Sequence, residues 1–232
     1  MPEQKIVNHK EWIAARRELL KKEKALTKQR AELASLRQAL PWVKVEKDYK
    51  FQAGMGDKTL LDLFGSHSQL ITYHFMMGPD WEQGCKSCSY LADHFQGAVP
   101  HLAARDVSFV AVSRAPLANI ASFQKRMNWD FPWVSSLGSD FNFDYQVSFT
   151  EEQVEAKSMP YNFGTISFGM GEAPGVSVFA KQENEVYRTY SAYARGLDPF
   201  ITAYQFLDIV PKGRDEEELK YGMEWVRHHD SY

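Results

Sequence analysis

Leu70-Ile71-Thr72-Tyr73-His74-Phe75-Met76-Met77-Gly78-Pro79 and, four residues on, Gly84-Cys85-Lys86-Ser87-Cys88-Ser89 decide how this 232-residue chain reads. The apolar run bounded by Gly-Pro predicts a strand covered on both faces. After the second cysteine, Tyr90, Leu91, Phe95 and Val99 recur at near-helical spacing. The reading is therefore strand, loop, and two cysteines on the first turn of a helix. A thiol there meets unsatisfied N–H groups and the positive end of the helix dipole, which favour the thiolate. Cysteines at i and i+3 share a helix face and can close a small disulfide. In an intracellular chain this C-x-x-C reads as a dithiol redox motif. The other readings are weaker or bland. Structural zinc needs more ligands than these two cysteines, and no second pair or Cys/His cluster follows, so no metal is expected. A c-type haem would need His where Ser89 stands. A pair of buried, inert thiols is the bland alternative.

Composition bounds the rest. The chain is 44% hydrophobic and 25% charged, as expected of a globular protein with one sizeable core. A net charge of −3 gives no electrostatic case for nucleic acid or an anionic membrane. No apolar run approaches the roughly 20 residues of a membrane span. The start, Met1-Pro2-Glu3-Gln4-Lys5, opens no apolar secretory segment. With only two cysteines, a secreted disulfide scaffold is not indicated, and a cytoplasmic setting is expected.

Three regions are expected: an N-terminal helical extension over 1–41, a domain over 42–210 and a charged C-terminal tail over 211–232. From Asn8 to Leu40 the pattern predicts one long helix, with Asn8 as N-cap, Glu11 at the capping-box position and Pro41 as the stop. Trp12, Leu19, Leu26, Leu33 and Leu40 form a single seven-residue column, flanked by Lys22 and Gln29. That stripe is too narrow for a strict coiled coil, so it predicts a helix laid on its own domain or on a second copy as a homodimer. Residues 42–51 alternate like a strand or hairpin arm, and 59–65 is a short helical piece closed by glycine. The C-x-x-C helix should run to Arg105-Asp106, Val107–Ser113 is a second central strand, and Pro116 opens a helix reaching Met127. Strand, helix, strand at this spacing implies parallel neighbours. Cys85 and Arg114 then lie at the same carboxyl edge of the sheet, where open α/β sheets bind ligands. Phe131–Ser136 is a short strand, 140–145 a helical turn, and 148–172 an irregular insertion rich in glycine. Val176–Lys181 and Val186–Tyr190 read as a hairpin, followed by a helix over 198–210. His74 reads as a core histidine, and His94, His228 and His229 as surface groups.

These elements resemble the thioredoxin fold, an α/β fold with a central mixed sheet flanked by helices. Here a long N-terminal helix is added and an insertion precedes the last hairpin. Phe131-Pro132 to Ser136, followed by Phe141 to Val147, is similar to a segment of peroxiredoxins. Gly84-Cys85 to Asp93, Val112-Ser113-Arg114-Ala115-Pro116-Leu117, Phe131-Pro132-Trp133 to Asn142, and Thr189 to Leu197 resemble a bacterial family of predicted dithiol-disulfide oxidoreductases, over nearly the whole chain. The resemblance implies that Pro174 occupies the cis-proline place, facing the dithiol. It implies a thiol–disulfide oxidoreductase with no cofactor beyond its thiols, acting on protein or small-molecule disulfides. Cys85 would attack, Cys88 would resolve, and Lys86 would help to depress the Cys85 pKa. Arg114 would bind an anionic substrate or steady a thiolate, unless it only pairs with an acid. The chain departs from thioredoxins in Gly84, where they carry Trp, and in Lys86, where many relatives carry Pro. It departs from peroxiredoxins in Glu82, where they carry Thr. A peroxiredoxin-like thiol peroxidase, or a redox-inactive binding or scaffold protein, stands behind the oxidoreductase reading.

Overall fold

A computed structural model describes residues 4–232, so the expected polar start at Met1–Glu3 lies outside the described residues. Helix α1 spans His9–Gln38 and is capped by Asn8, whose side chain accepts from the Glu11 N–H. Its 30 residues make a rod about 45 Å long, and none of them is buried. The Trp12, Leu19, Leu26 and Leu33 column stays exposed along it.

The strands are β1 (Val43–Lys44), β2 (Lys50–Phe51), β3 (Lys58–Thr59), β4 (Gln69–His74), β5 (Val107–Ser113), β6 (Trp133–Ser135), β7 (Gly175–Gln182) and β8 (Glu185–Tyr193). Six form one sheet in the order β1-β8-β7-β4-β5-β6. β4, β5 and β6 are parallel, whereas β7 runs antiparallel to β4 and pairs with β8 as a hairpin. The helices after α1 are α2 (Lys86–Ala92), α3 (Val99–Ala103), α4 (Leu117–Arg126), α5 (Phe141–Asp144), α6 (Glu151–Glu155), α7 (Tyr161–Gly164) and α8 (Thr202–Leu207). A parallel β-α-β-α-β run completed by an antiparallel hairpin is the thioredoxin-like fold, with the long N-terminal helix added.

Side-chain alternation on the central strands builds two cores. Ile71, Tyr73, Phe109 and Ala111 face α2, together with Phe75, Phe95, Phe131 and Trp133. Leu70, Val110 and Val112 face the other way, onto Phe51, Phe64, Phe141, Tyr145 and Phe179. His74 points to this second side, stacked on Phe141 and Tyr145, with its Nε2 on the Ser177 hydroxyl at 2.9 Å. Its Nδ1 is buried without a partner, and burial holds its pKa down to about 3. The unfolded chain therefore takes up a proton near pH 6.5 that the folded chain refuses. The stability tied to this group is present above about pH 6.5 and is lost as pH falls, by about 1.4 kcal/mol per unit. Urea unfolding at pH 7 and pH 5 should show that loss in the wild type. His74→Phe should remove the His74 share of the slope, and an unchanged slope would assign it to other groups.

Several boundaries differ from the sequence reading for identifiable reasons. The first central strand leaves the ladder after His74 because the Met76 carbonyl turns to accept from the Cys85 N–H at 3.0 Å. The expected helix to Arg105 is two pieces, α2 and α3, with Pro100 in the first turn of the second. The 42–51 arm splits into β1 on the edge of the main sheet and β2, which pairs with β3. The expected 198–210 helix is a 3-10 segment, Ala194–Phe200 with Pro199 inside it, followed by α8. Residues 211–232 are charged as read, but they fold back over α2. Val226 is 1% exposed in the core beside Trp225, which packs on Tyr90. His228, read as a surface group, is buried.

Candidate active site

Cys85 is the N-cap of α2, with no side-chain capping hydrogen bond, which leaves its sulfur beside the free N–H groups of the first turn. Gly84 is packed so closely that a Cβ there would lie 2.4 Å from a Phe75 ring carbon and 2.7 Å from one of Phe123. The glycine thus fixes the turn that delivers Cys85 to the helix. Both cysteines are free thiols; Cys85 is partly exposed, while Cys88 is 2% exposed.

The electrostatics separate the two sulfurs. The Cys88 S–H pulls the Cys85 pKa down most; burial opposes it, and the N–H groups of Cys88 and Ser87 add to the pull, leaving it at about 6. Burial and the neighbouring Cys85 sulfur push Cys88 the other way, well above the ordinary thiol range. At neutral pH this makes Cys85 a thiolate and Cys88 its hydrogen-bond donor. Iodoacetamide should therefore modify Cys85 with a midpoint near pH 6 and leave Cys88 untouched. A midpoint near 9, or preferential modification of Cys88, would contradict this arrangement.

Tyr73, a residue that the sequence reading left in the core, lies against the Cys88 sulfur. Its hydroxyl is fully buried and has no hydrogen-bond partner in the dithiol state. An aromatic in an apolar strand carries no sequence signal of such a role; only the alternation that turns residue 73 toward α2 could have suggested it. His228 is the second addition. Its Nε2 lies 3.0 Å from the Gly84 carbonyl, an acceptor, so Nε2 must carry the proton. The segment around it is held by Arg126, which pairs with Asp230 at 2.8 Å, and by His229 on Asp93 at 2.6 Å.

The other expected site residues are placed as follows. Lys86 is exposed at the rim of the dithiol cleft and is not among the groups that act most on Cys85. Pro174 lines the same cleft, but the described residues contain no cis peptide bond, which corrects the cis-proline expectation. The local reason is an extended approach: the Ala173 N–H donates to Val147 and Glu172 bridges to Ser148, so the chain enters β7 already straight. Arg114 turns from the thiols. It pairs with the Glu172 carboxylate at 2.8 Å and stacks over Phe143, 4.4 Å from the ring centre. Burial raises the Glu172 pKa even though the Ser148 hydroxyl and Arg114 both lower it.

All of residues 1–232 match a single family profile. The chain belongs to the family described as bacterial protein of unknown function (DUF899). None of the curated proteins matches it. Among solved structures it is similar to a cysteine-to-serine mutant of PrxQ from Xylella fastidiosa, at 16% identity and a TM-score of 0.42, over 68% of this chain and 88% of that one. It is similar to peroxidoxin BcpB from Mycobacterium tuberculosis, also at 16% and 0.42, over 70% of this chain and 94% of that one. The mitochondrial 2-Cys peroxiredoxin from Plasmodium falciparum matches at 9% and 0.39, over 72% of this chain and 92% of that one. Among the described residues, no helix is long and apolar enough to cross a membrane.

Proposed function

We propose that this protein is a thiol–disulfide oxidoreductase whose working couple is Cys85 and Cys88. The observation that carries the reading is the split between the two sulfurs: an acidic, reachable Cys85 held by a buried, protonated Cys88. The Cys85 thiolate attacks a substrate disulfide, forms a mixed disulfide and releases one substrate thiolate. Cys88 then loses its proton to that thiolate and attacks Cys85, closing the intramolecular disulfide and releasing the second substrate sulfur as a thiolate, which takes its proton from solvent. Two protein thiols are oxidised and one substrate disulfide is reduced to two thiols. A dithiol donor must reopen the protein disulfide for another turn.

Tyr73 is positioned to donate to Cys88 as the charge forms there. That bond is worth about 1 kcal/mol, so Tyr73→Phe should slow the resolving step about fivefold. Acid quenching and mass spectrometry should then show the mixed disulfide on Cys85 accumulating in the variant; equal levels in both proteins would remove Tyr73 from the mechanism. The reading as a whole is tested by titrating the dithiol against glutathione redox buffers and by turnover of small disulfides, with Cys85→Ser as control. A single two-electron transition lost in Cys85→Ser is expected. No transition and no turnover would leave the redox-inactive binding reading in its place. Peroxide consumption without disulfide reduction would favour the thiol peroxidase.

A further inference from the structure

The dithiol does not sit on an open face. It lies at the floor of a cleft of about 750 Å³ that Tyr73, Met76, Cys85, Cys88 and Leu91 line from the thioredoxin-like core. The walls come from three separate parts of the chain: Phe168 and Met170 from the insertion, Leu197 and Ile201 from the segment leading into α8, and Met223 and Val226 from the C-terminal fold-back. The wall segments are tied down. Tyr161 donates to the Pro174 carbonyl at 2.6 Å and accepts from the Ala194 N–H at 2.8 Å, joining the insertion to the 194–200 turn. Glu216 accepts from Tyr204, from the Met223 N–H and from the Trp225 indole, which fixes the fold-back. A groove of about 600 Å³ at the end of α1 shares only Ala194 and Arg195 with this cleft and contains no cysteine.

We infer that the substrate of this site is a small, predominantly apolar disulfide that enters the cleft bodily, rather than a disulfide carried on a protein surface. The inference rests on the oxidoreductase reading and names its substrate class. The volume is that of a small-molecule site. A disulfide on a folded protein would have to bring its own loop in among walls that include Phe168, Met170 and Met223. An apolar body that covers these walls releases the water on them, which favours its binding in proportion to the surface covered. Met76, Met170 and Met223 add side chains that adapt to differing shapes. Charges lie at the rim, and the Asp198 carboxylate there is already taken by Arg195 and Arg214. Lys86, Arg195 and Arg227 of the lining are exposed to solvent, so a charged disulfide meets its partners at the mouth and desolvates any charge it carries down to the apolar walls.

The test is a single-turnover comparison that needs no electron donor. Fully reduced protein is mixed with a short neutral dialkyl disulfide, with glutathione disulfide, or with insulin, and loss of thiols is followed in time. Each rate is divided by the rate of the same disulfide with a free monothiol, which removes intrinsic reactivity. The dialkyl disulfide should then lead both others by at least tenfold. Met223→Trp, which fills the cleft from its wall, should erase most of that lead; Met170→Trp serves if the first variant does not fold. Equal normalised rates, or a lead for insulin, would overturn the substrate class while the oxidoreductase reading stood. Failure of all three disulfides to oxidise the protein would bring down that reading and this inference with it.

Discussion

Gly84→Ala is expected to destabilise the protein by about 3 kcal/mol, for the loss of room for a single hydrogen. The added Cβ would sit 2.4 Å from Phe75 Cε1 and 2.7 Å from Phe123 Cε1, closer than carbon atoms approach without displacement. Neither ring can give way cheaply. Phe75 is wedged against Trp133, 4.5 Å between ring centres, and Phe123 against Trp129 at 5.7 Å and His228 at 5.3 Å. Close-packed cores pass such strain to their neighbours. Here the neighbours are the Cys85 turn and the His228 hydrogen bond on the Gly84 carbonyl. Urea unfolding should show the loss of stability. Alkylation of Cys85 should in addition lose its midpoint near pH 6, because the displaced turn no longer holds the sulfur against the Cys88 S–H and the Cys88 and Ser87 N–H groups. A variant as stable as wild type, with the same alkylation profile, would mean that the glycine is incidental. The same contact explains why tryptophan does not stand before the first cysteine: Trp81 instead covers Gly78 from the far end of the loop, with its indole nitrogen 3.1 Å from the position a Cβ would take there.

The sheet was legible because its signals are local. The apolar runs of β4 and β5, the cysteines after the first and the hairpin pattern of 176–190 each follow from residue type and period. Helix α1 was legible to within about two residues for the same reason. What the sequence did not yield depends on contacts between distant residues. The 211–232 segment reads as polar, because its few apolar residues, among them Met223, Trp225 and Val226, follow no period; these three are anchored instead around one acid, Glu216, that collects three donors. His228 looks like a surface residue until the segment returns to cover Gly84. Arg114 lay at the expected edge of the sheet, but topology gives an edge and not a direction. Its partner Glu172 comes from the insertion, where neither helical nor strand period can be read.

That ion pair supplies the second large expected effect. Arg114→Met should cost about 2–3 kcal/mol at pH 7.5, because it strands a carboxylate whose side chain is 7% exposed. The dependence on pH separates this cause from lost packing on Phe143. Burial already holds the Glu172 pKa above the ordinary glutamate value. A group raised in this way contributes its stability fully below its unfolded pKa and loses it as pH rises through the folded one. Removing Arg114 takes away an interaction that lowers the folded value, so that value climbs further and the loss extends toward neutral pH. The deficit of Arg114→Met should therefore be larger at pH 7.5 than at pH 5, where Glu172 can fold as the neutral acid. Adding Glu172→Gln should recover most of the loss at pH 7.5, since an amide can still meet the Ser148 hydroxyl without a charge. Urea unfolding of the two single variants and the double variant at both pH values closes the cycle. Alkylation of Cys85 supplies the functional readout. Because the guanidinium is committed to Glu172 and Phe143, Arg114→Met should leave the Cys85 midpoint where it is. A rise in that midpoint with unchanged stability would instead return Arg114 to the thiols.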